Sequence, residues 1–243
     1  MTSRHDERPK EPWKSDGTMP QIEIAEKTVN LGSATVGLKN QTHAVLIAFP
    51  CNERRAFLSR SKIYVVDQNI GASIAGLGAD GRKVIDYMRA ICRQFRKVEH
   101  ADISPNNLME NISEYMYAPT VNSNCRIFGV GLLVVGSEDT NPYVYEVQTT
   151  GETSDRVAFA IGFCSSAANI YLKKNINNIL SSNLDCLIMY GVTALRHTLS
   201  EDDQENITKM QNISIGVVGN KQPFRILDKC RTFRYLQNLT RDD

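Results

Sequence analysis

Strand-like runs in this 243-residue chain come in adjacent groups, with helical stretches in pairs between them, and that order limits the folds open to it. "SATVGLK" (33–39) and "HAVLIAF" (43–49) are two apolar, β-branched runs divided by the polar "NQT", which is a hairpin signal. "KIYVV" (62–66) and "IGASIAG" (70–76) follow, joined by a turn at Asp67–Asn69. Residues 79–98 then place Val84, Ile85, Met88, Ile91, Cys92 and Phe95 at three- and four-residue steps, one face of a helix. A second helix is predicted over 104–118, with Ser104 as N-cap and Pro105 at its first position. "FGVGLLVVG" (128–136), "YVYEVQTTG" (143–151) and "VAFAIG" (157–162) read as a β-meander. Two more helices are predicted over 165–179 and 183–199, then a strand pair, "NISIGVVG" (212–219) and "PFRILD" (223–228), and a short terminal helix, "KCRTFRYLQNL". Ahead of all this, "QIEIAEKTVN" (21–30) has a helical pattern that stops before Gly32.

Grouped strands do not fit the strict strand–helix alternation of a doubly wound parallel sheet. They fit antiparallel sheets covered by helix pairs. The expected fold is α+β: a four-layer α-β-β-α sandwich in which two antiparallel sheets face each other between helix layers. A 42% hydrophobic content suffices for the core of one such domain over 21–243. Residues 1–20, polar and with three prolines, read as a flexible tail.

One motif points elsewhere. In "IAGLGADGRK" (74–83), Gly76, Gly78 and Gly81 spell G-x-G-x-x-G between a strand and a helix, the context of a dinucleotide-binding turn. Such a fold needs that turn after its first strand and a parallel strand next. Here four strands precede the turn and another helix follows, so steric roles for the glycines fit better than a nucleotide-binding enzyme.

Composition narrows the partners. Net charge is +1, from 28 basic and 27 acidic residues, which gives no electrostatic case for nucleic acid or a membrane surface. No apolar run approaches the roughly 20 residues of a membrane helix, and the charged N-terminus does not resemble a signal peptide. Scattered cysteines at 51, 92, 125, 164, 186 and 230, without C-x-x-C, suit reduced thiols in the cytoplasm or nucleus and no metal site. The five N-x-S/T sequons then read as chance in an Asn-rich chain. No cofactor motif remains.

"GSATVGLKNQTHAVLIAF", "SKIYVVDQNIGASIAGLGADGR", "FGVGLLVVG" and "NISIGVVG", in that order and spacing, resemble the α-type subunits of the eukaryotic proteasome core particle, from about Trp13 to about Lys221. The resemblance implies an Ntn-hydrolase-type sandwich and a heptameric α ring capping a β ring that carries the proteolytic sites. It implies a noncatalytic subunit in ATP- and ubiquitin-dependent protein degradation. The residues agree. An active β-type site needs a freed N-terminal threonine whose own amine serves as base; the matching position is Ser33, and the β-type acidic residue falls at Pro50. An active Ntn-type threonine or serine peptidase is the alternative, and it would need a chain cut just before Ser33.

Three tasks follow from the resemblance. For ring contact, Trp13, Gly17, Gln21, Glu23 and Ala25 match the family segment Tyr/Trp-S-P-x-G-R-x-x-Q-x-E-Y-A, whereas Ser15, Thr18 and Ile24 replace its proline, arginine and tyrosine. For the gate, Asp6-Glu7-Arg8 aligns with a Tyr-Asp-Arg triplet but lacks the tyrosine; a solvated charged tail is the plainer reading. For docking of activator C-terminal tails, Lys62 matches the lysine that takes the terminal carboxylate, with Gly32 and Leu77 at other pocket positions. The plainer reading of Lys62 is an exposed lysine at a strand end.

Overall fold

The structure, a computed structural model, describes residues 17, 19–50, 61–122, 125–138, 141–199, 213–219 and 222–239. Helix α1 (Pro20–Leu31) leads into β1 (Thr35–Lys39), β2 (His43–Ala48), β3 (Ile63–Asp67) and β4 (Ile70–Gly76). Helices α2 (Gly78–Glu99) and α3 (Pro105–Val121) follow, then β5 (Val130–Glu138), β6 (Asn141–Val147), β7 (Thr153–Asp155) and β8 (Ala158–Ile161). Helices α4 (Ser165–Lys174), α5 (Ile176–Ser181) and α6 (Leu184–Arg196) precede β9 (Ser214–Gly219), β10 (Gln222–Ile226) and α7 (Lys229–Leu239). The strands form two five-stranded sheets, β10-β9-β2-β1-β8 and β3-β4-β5-β6-β7, antiparallel throughout.

The central strands β2 and β5 carry unbroken apolar runs, over 44–48 and 130–136, because both of their faces are buried there. In β2, Val45 and Ile47 pack with the α4–α6 layer, while the alternate residues Ala44, Leu46 and Ala48 face the other sheet. In β5, Leu132 and Val134 join the core under α2 and α3, and Leu133 and Val135 face inward to β2. Each of these valine, leucine and isoleucine side chains contributes about 1.5–3 kcal/mol on burial. On α2, Val84, Ile85, Met88 and Cys92 are buried, the stripe that the periodicity predicts. The expected α-β-β-α order is therefore the one observed.

Three local expectations differ. The third strand of the expected meander, β8, belongs to the other sheet, where it pairs with β1. The chain crosses between the sheets within one residue: the Arg156 N–H donates to the Val144 carbonyl in β6, and the Val157 carbonyl accepts from Lys39 in β1. The salt bridge of Lys39 with Asp155, at 2.7 Å, clips the same crossing. The short strand β7 takes the meander's third place. The helix predicted over 165–179 is broken at Asn175, which ends α4 and begins α5. Helix α3 continues past Pro119 to Val121, with the Thr120 hydroxyl donating to the Tyr117 carbonyl at 2.6 Å.

Candidate functional site

The C-terminus of α1, the start of β3 and the end of β4 meet at one corner of the sandwich. Gly32 closes α1, and a Cβ there would collide with the backbone nitrogen of Gly76. Gly76 itself has φ +107°, a backbone region open to glycine, and its own missing Cβ makes room for the Gly129 carbonyl. The next residue, Leu77, donates its N–H to that carbonyl at 2.8 Å and leaves its side chain 43% exposed. On the other side of Gly32, the Ser33 carbonyl accepts from the Lys62 ammonium at 2.6 Å. Gly32, Lys62 and Leu77, far apart in the chain, are thus gathered around one backbone contact.

A side chain that sequence reasoning did not single out holds this corner in register. Asp80, in the first turn of α2, is 1% exposed. Its carboxylate accepts from Arg126 at 2.5 and 2.6 Å and from the Gly129 N–H at 3.0 Å. Gly129 is therefore clasped twice, through its carbonyl by Leu77 and through its N–H by Asp80. Burial alone would raise the Asp80 carboxyl; the bonds from Arg126 and Gly129 outweigh it and hold it below the ordinary carboxylate range. The sequence signal was an acidic residue in a helix's first turn. Its partner, at position 126, is invisible to helical periodicity.

Lys62 is not an exposed strand-end lysine: it is 3% exposed. In the predicted ring segment, Gly17 is exposed with φ +80°, Gln21 is exposed, Glu23 is half-buried and Ala25 is the one buried residue of α1. Ile24, where the family pattern has tyrosine, is 63% exposed. Trp13, Asp6, Glu7 and Arg8 lie outside the described residues.

Ser33 and the fingerprint glycines, the features behind the two chemical alternatives, have the following surroundings among the described residues. The Ser33 hydroxyl donates to the Pro50 carbonyl at 3.2 Å, and the Lys62 ammonium donates to the Ser33 carbonyl at 2.6 Å. Of the fingerprint glycines, Gly76 serves the chain reversal. Gly81 lets α2 approach Ile74, whose Cδ1 would lie 2.5 Å from a Cβ, whereas Gly78 has only the Arg82 side chain, at 3.7 Å. A phosphate at this helix start would meet the Asp80 carboxylate.

Comparison with known proteins agrees with the fold. The proteasome subunit family model matches residues 29–218. The chain is 36% identical to proteasome subunit alpha type-1 of Drosophila melanogaster, over 88% of this chain and 77% of that protein. It is 33% identical to proteasome subunit alpha type-1 of Dictyostelium discoideum over 95% and 92%, and 31% identical to proteasome subunit alpha type-6 of Saccharomyces cerevisiae over 90% and 93%. Strand pattern, sandwich and sequence together make this chain a member of the proteasome subunit family, of the α type.

Proposed function

We propose that this chain performs no chemistry of its own and serves as a structural α-ring subunit of the proteasome core. The observation that carries the reading is the family match over 29–218, supported by a Ser33 hydroxyl that donates to the Pro50 carbonyl. In this role it stands in a seven-membered α ring above the β ring. The exposed face of α1, with Gln21 and Ile24, supports contact with ring neighbours through the segment that includes Trp13, Gly17, Glu23 and Ala25. The tail carrying Asp6, Glu7 and Arg8 takes part in gating. The corner of Gly32, Lys62 and Leu77 receives the C-terminal tail of an activator, with the Lys62 cation as the charge that draws the terminal carboxylate. The scattered cysteines, without C-x-x-C spacing, support work in reducing compartments, the cytoplasm and nucleus.

The test is made on the assembled particle. Lys62→Met keeps the aliphatic stem and removes the ammonium. It should weaken binding of an activator tail peptide about tenfold while the chain still co-purifies with other proteasome subunits. Unchanged peptide affinity would remove Lys62 from the docking site. A wild-type chain that never enters a larger particle would sink the subunit reading itself.

A further inference from the structure

Gly129 is met from three elements. From the end of β4, a Cβ on Gly76 would run into its carbonyl, and the Leu77 N–H donates to that carbonyl at 2.8 Å. From α1, the Thr28 methyl carbon lies 3.1 Å from the place where a Cβ of Gly129 would stand. From α2, the Asp80 carboxylate accepts its N–H at 3.0 Å. The carbonyl and the N–H belong to the two peptide groups that flank the Gly129 Cα, and the torsions between them are those of a glycine, the least restrained of residues. The bond to Leu77 alone would leave a hinge. The bond to Asp80 supplies the second point that fixes the orientation.

Both points of this clamp come from one rigid turn. Asp80 follows Leu77 by three residues, and the Gly81 N–H donates to the Leu77 carbonyl at 3.0 Å, which closes the first turn of α2. The start of α2 therefore grips Gly129 with a backbone N–H and a side-chain oxygen at once. Arg126 has a different part. Its hydrogen bonds go to the two Asp80 oxygens and to the Ile127 carbonyl, at 3.2 Å, and its side chain is 62% exposed. It compensates the buried charge of Asp80 and leaves the Gly129 bond to the carboxylate.

We propose that Asp80 is a positioning residue of the docking corner: through Gly129 it sets where Leu77 stands, and so the shape that an incoming tail meets. The inference rests on the reading of the Gly32, Lys62 and Leu77 corner as the receptor of an activator tail. Asp80 is 1% exposed, so a docked tail does not touch it. Its negative charge does nothing to attract a terminal carboxylate. Its contribution is the fixed placement of groups that do meet the ligand. The two sets of bonds to Asp80 then divide between two properties. The bond from Gly129 governs docking, and the pair with Arg126 governs stability.

The experiment uses the whole chain, tagged and recovered in its particle, as wild type, Asp80→Ala, Asp80→Asn and Arg126→Ala. The probe is a labelled activator tail peptide with a free C-terminal carboxylate, and its amidated form is the control. Two quantities are read at neutral pH: the peptide's Kd, and the temperature at which each chain is lost from the particle. Asp80→Ala should weaken the peptide roughly tenfold, the low end of what outer-shell partners cost at metal sites. Asp80→Asn keeps an oxygen for the Gly129 N–H while the exposed Arg126 turns into water; it should be less stable than wild type and bind the peptide as wild type does. Arg126→Ala should likewise lose stability and keep its affinity. A merely structural Asp80 would make affinity fall with stability across all three variants, and that pattern overturns the inference. So does Asp80→Ala binding the peptide like wild type. If Asp80→Ala does not enter the particle, the other two variants decide, and a roughly tenfold loss of affinity in either overturns it. A wild-type particle that does not distinguish the peptide from its amide would sink the docking reading together with it.

Discussion

Removing Arg126 should invert the pH dependence of this protein's stability. In the wild type, Asp80 is buried at 1% exposure while Arg126 is 62% exposed at its side chain, so the two ends of the pair are not equivalent. Deleting Asp80 leaves a cation that can turn into water and a Gly129 N–H without its acceptor. Deleting Arg126 leaves a buried carboxylate held by that one N–H. Breaking a buried pair costs ~3–5 kcal/mol; with one partner this exposed, about 2–3 kcal/mol is expected for Arg126→Ala at pH 7. The pH profile separates the mechanisms. In the wild type the folded Asp80 carboxyl titrates below its unfolded value. Its contribution is present above the unfolded value and is lost as pH falls through the folded one. Without Arg126, burial dominates and the folded carboxyl is raised. The penalty is then full at neutral pH and is relieved as pH falls from the raised folded value toward the unfolded one. Urea unfolding followed by far-UV circular dichroism, at several pH values between 4 and 7, should show Arg126→Ala closing its gap with wild type as pH falls. A gap that stays constant across this range would refute the assignment of Asp80 as a buried carboxylate that depends on Arg126.

The fingerprint glycines should separate by substitution. Gly76→Ala, at φ +107° and against the Gly129 carbonyl, should cost several kcal/mol, about 3 or more. Gly78→Ala, in open helix start, should be neutral or stabilising by roughly 1 kcal/mol, and thermal melts of the two would expose an error if they ranked the other way. Asn169→Leu should destabilise by about 2 kcal/mol. The Asn169 amide accepts from the Ala160 N–H at 2.8 Å and donates to its carbonyl at 2.9 Å, covering the free edge of β8 like a further strand; denaturant midpoints and light scattering report the loss. The purified chain should cleave no fluorogenic peptide, and any turnover abolished by Ser33→Ala would overturn the proposed noncatalytic role.

Much of the architecture was legible because burial leaves periodic traces. A strand covered on both faces carries an unbroken apolar run, as β2 does over 44–48 and β5 over 130–136, and a helix lying on a sheet carries a stripe, as α2 does at Val84, Met88 and Cys92. Those two patterns, and the order in which they alternate, are enough to specify two antiparallel sheets between helix layers. The resemblance likewise selected Gly32, Lys62 and Leu77, which the fold gathers at one corner. What the chain could not disclose depends on pairs remote in sequence. β8 joins the far sheet because Val157 bonds Lys39, a choice its own residues do not encode. Asp80 looks like an ordinary helix-start acid until Arg126, 46 positions on, arrives beside it. The resemblance selects Lys62, but that its ammonium is taken by the Ser33 carbonyl, 29 positions away, is decided only by the fold. Local periodicity comes from one element meeting a layer, and sequence records it. Polar and charged contacts are made by single atoms brought together at the end of folding, and only the tertiary structure decides them.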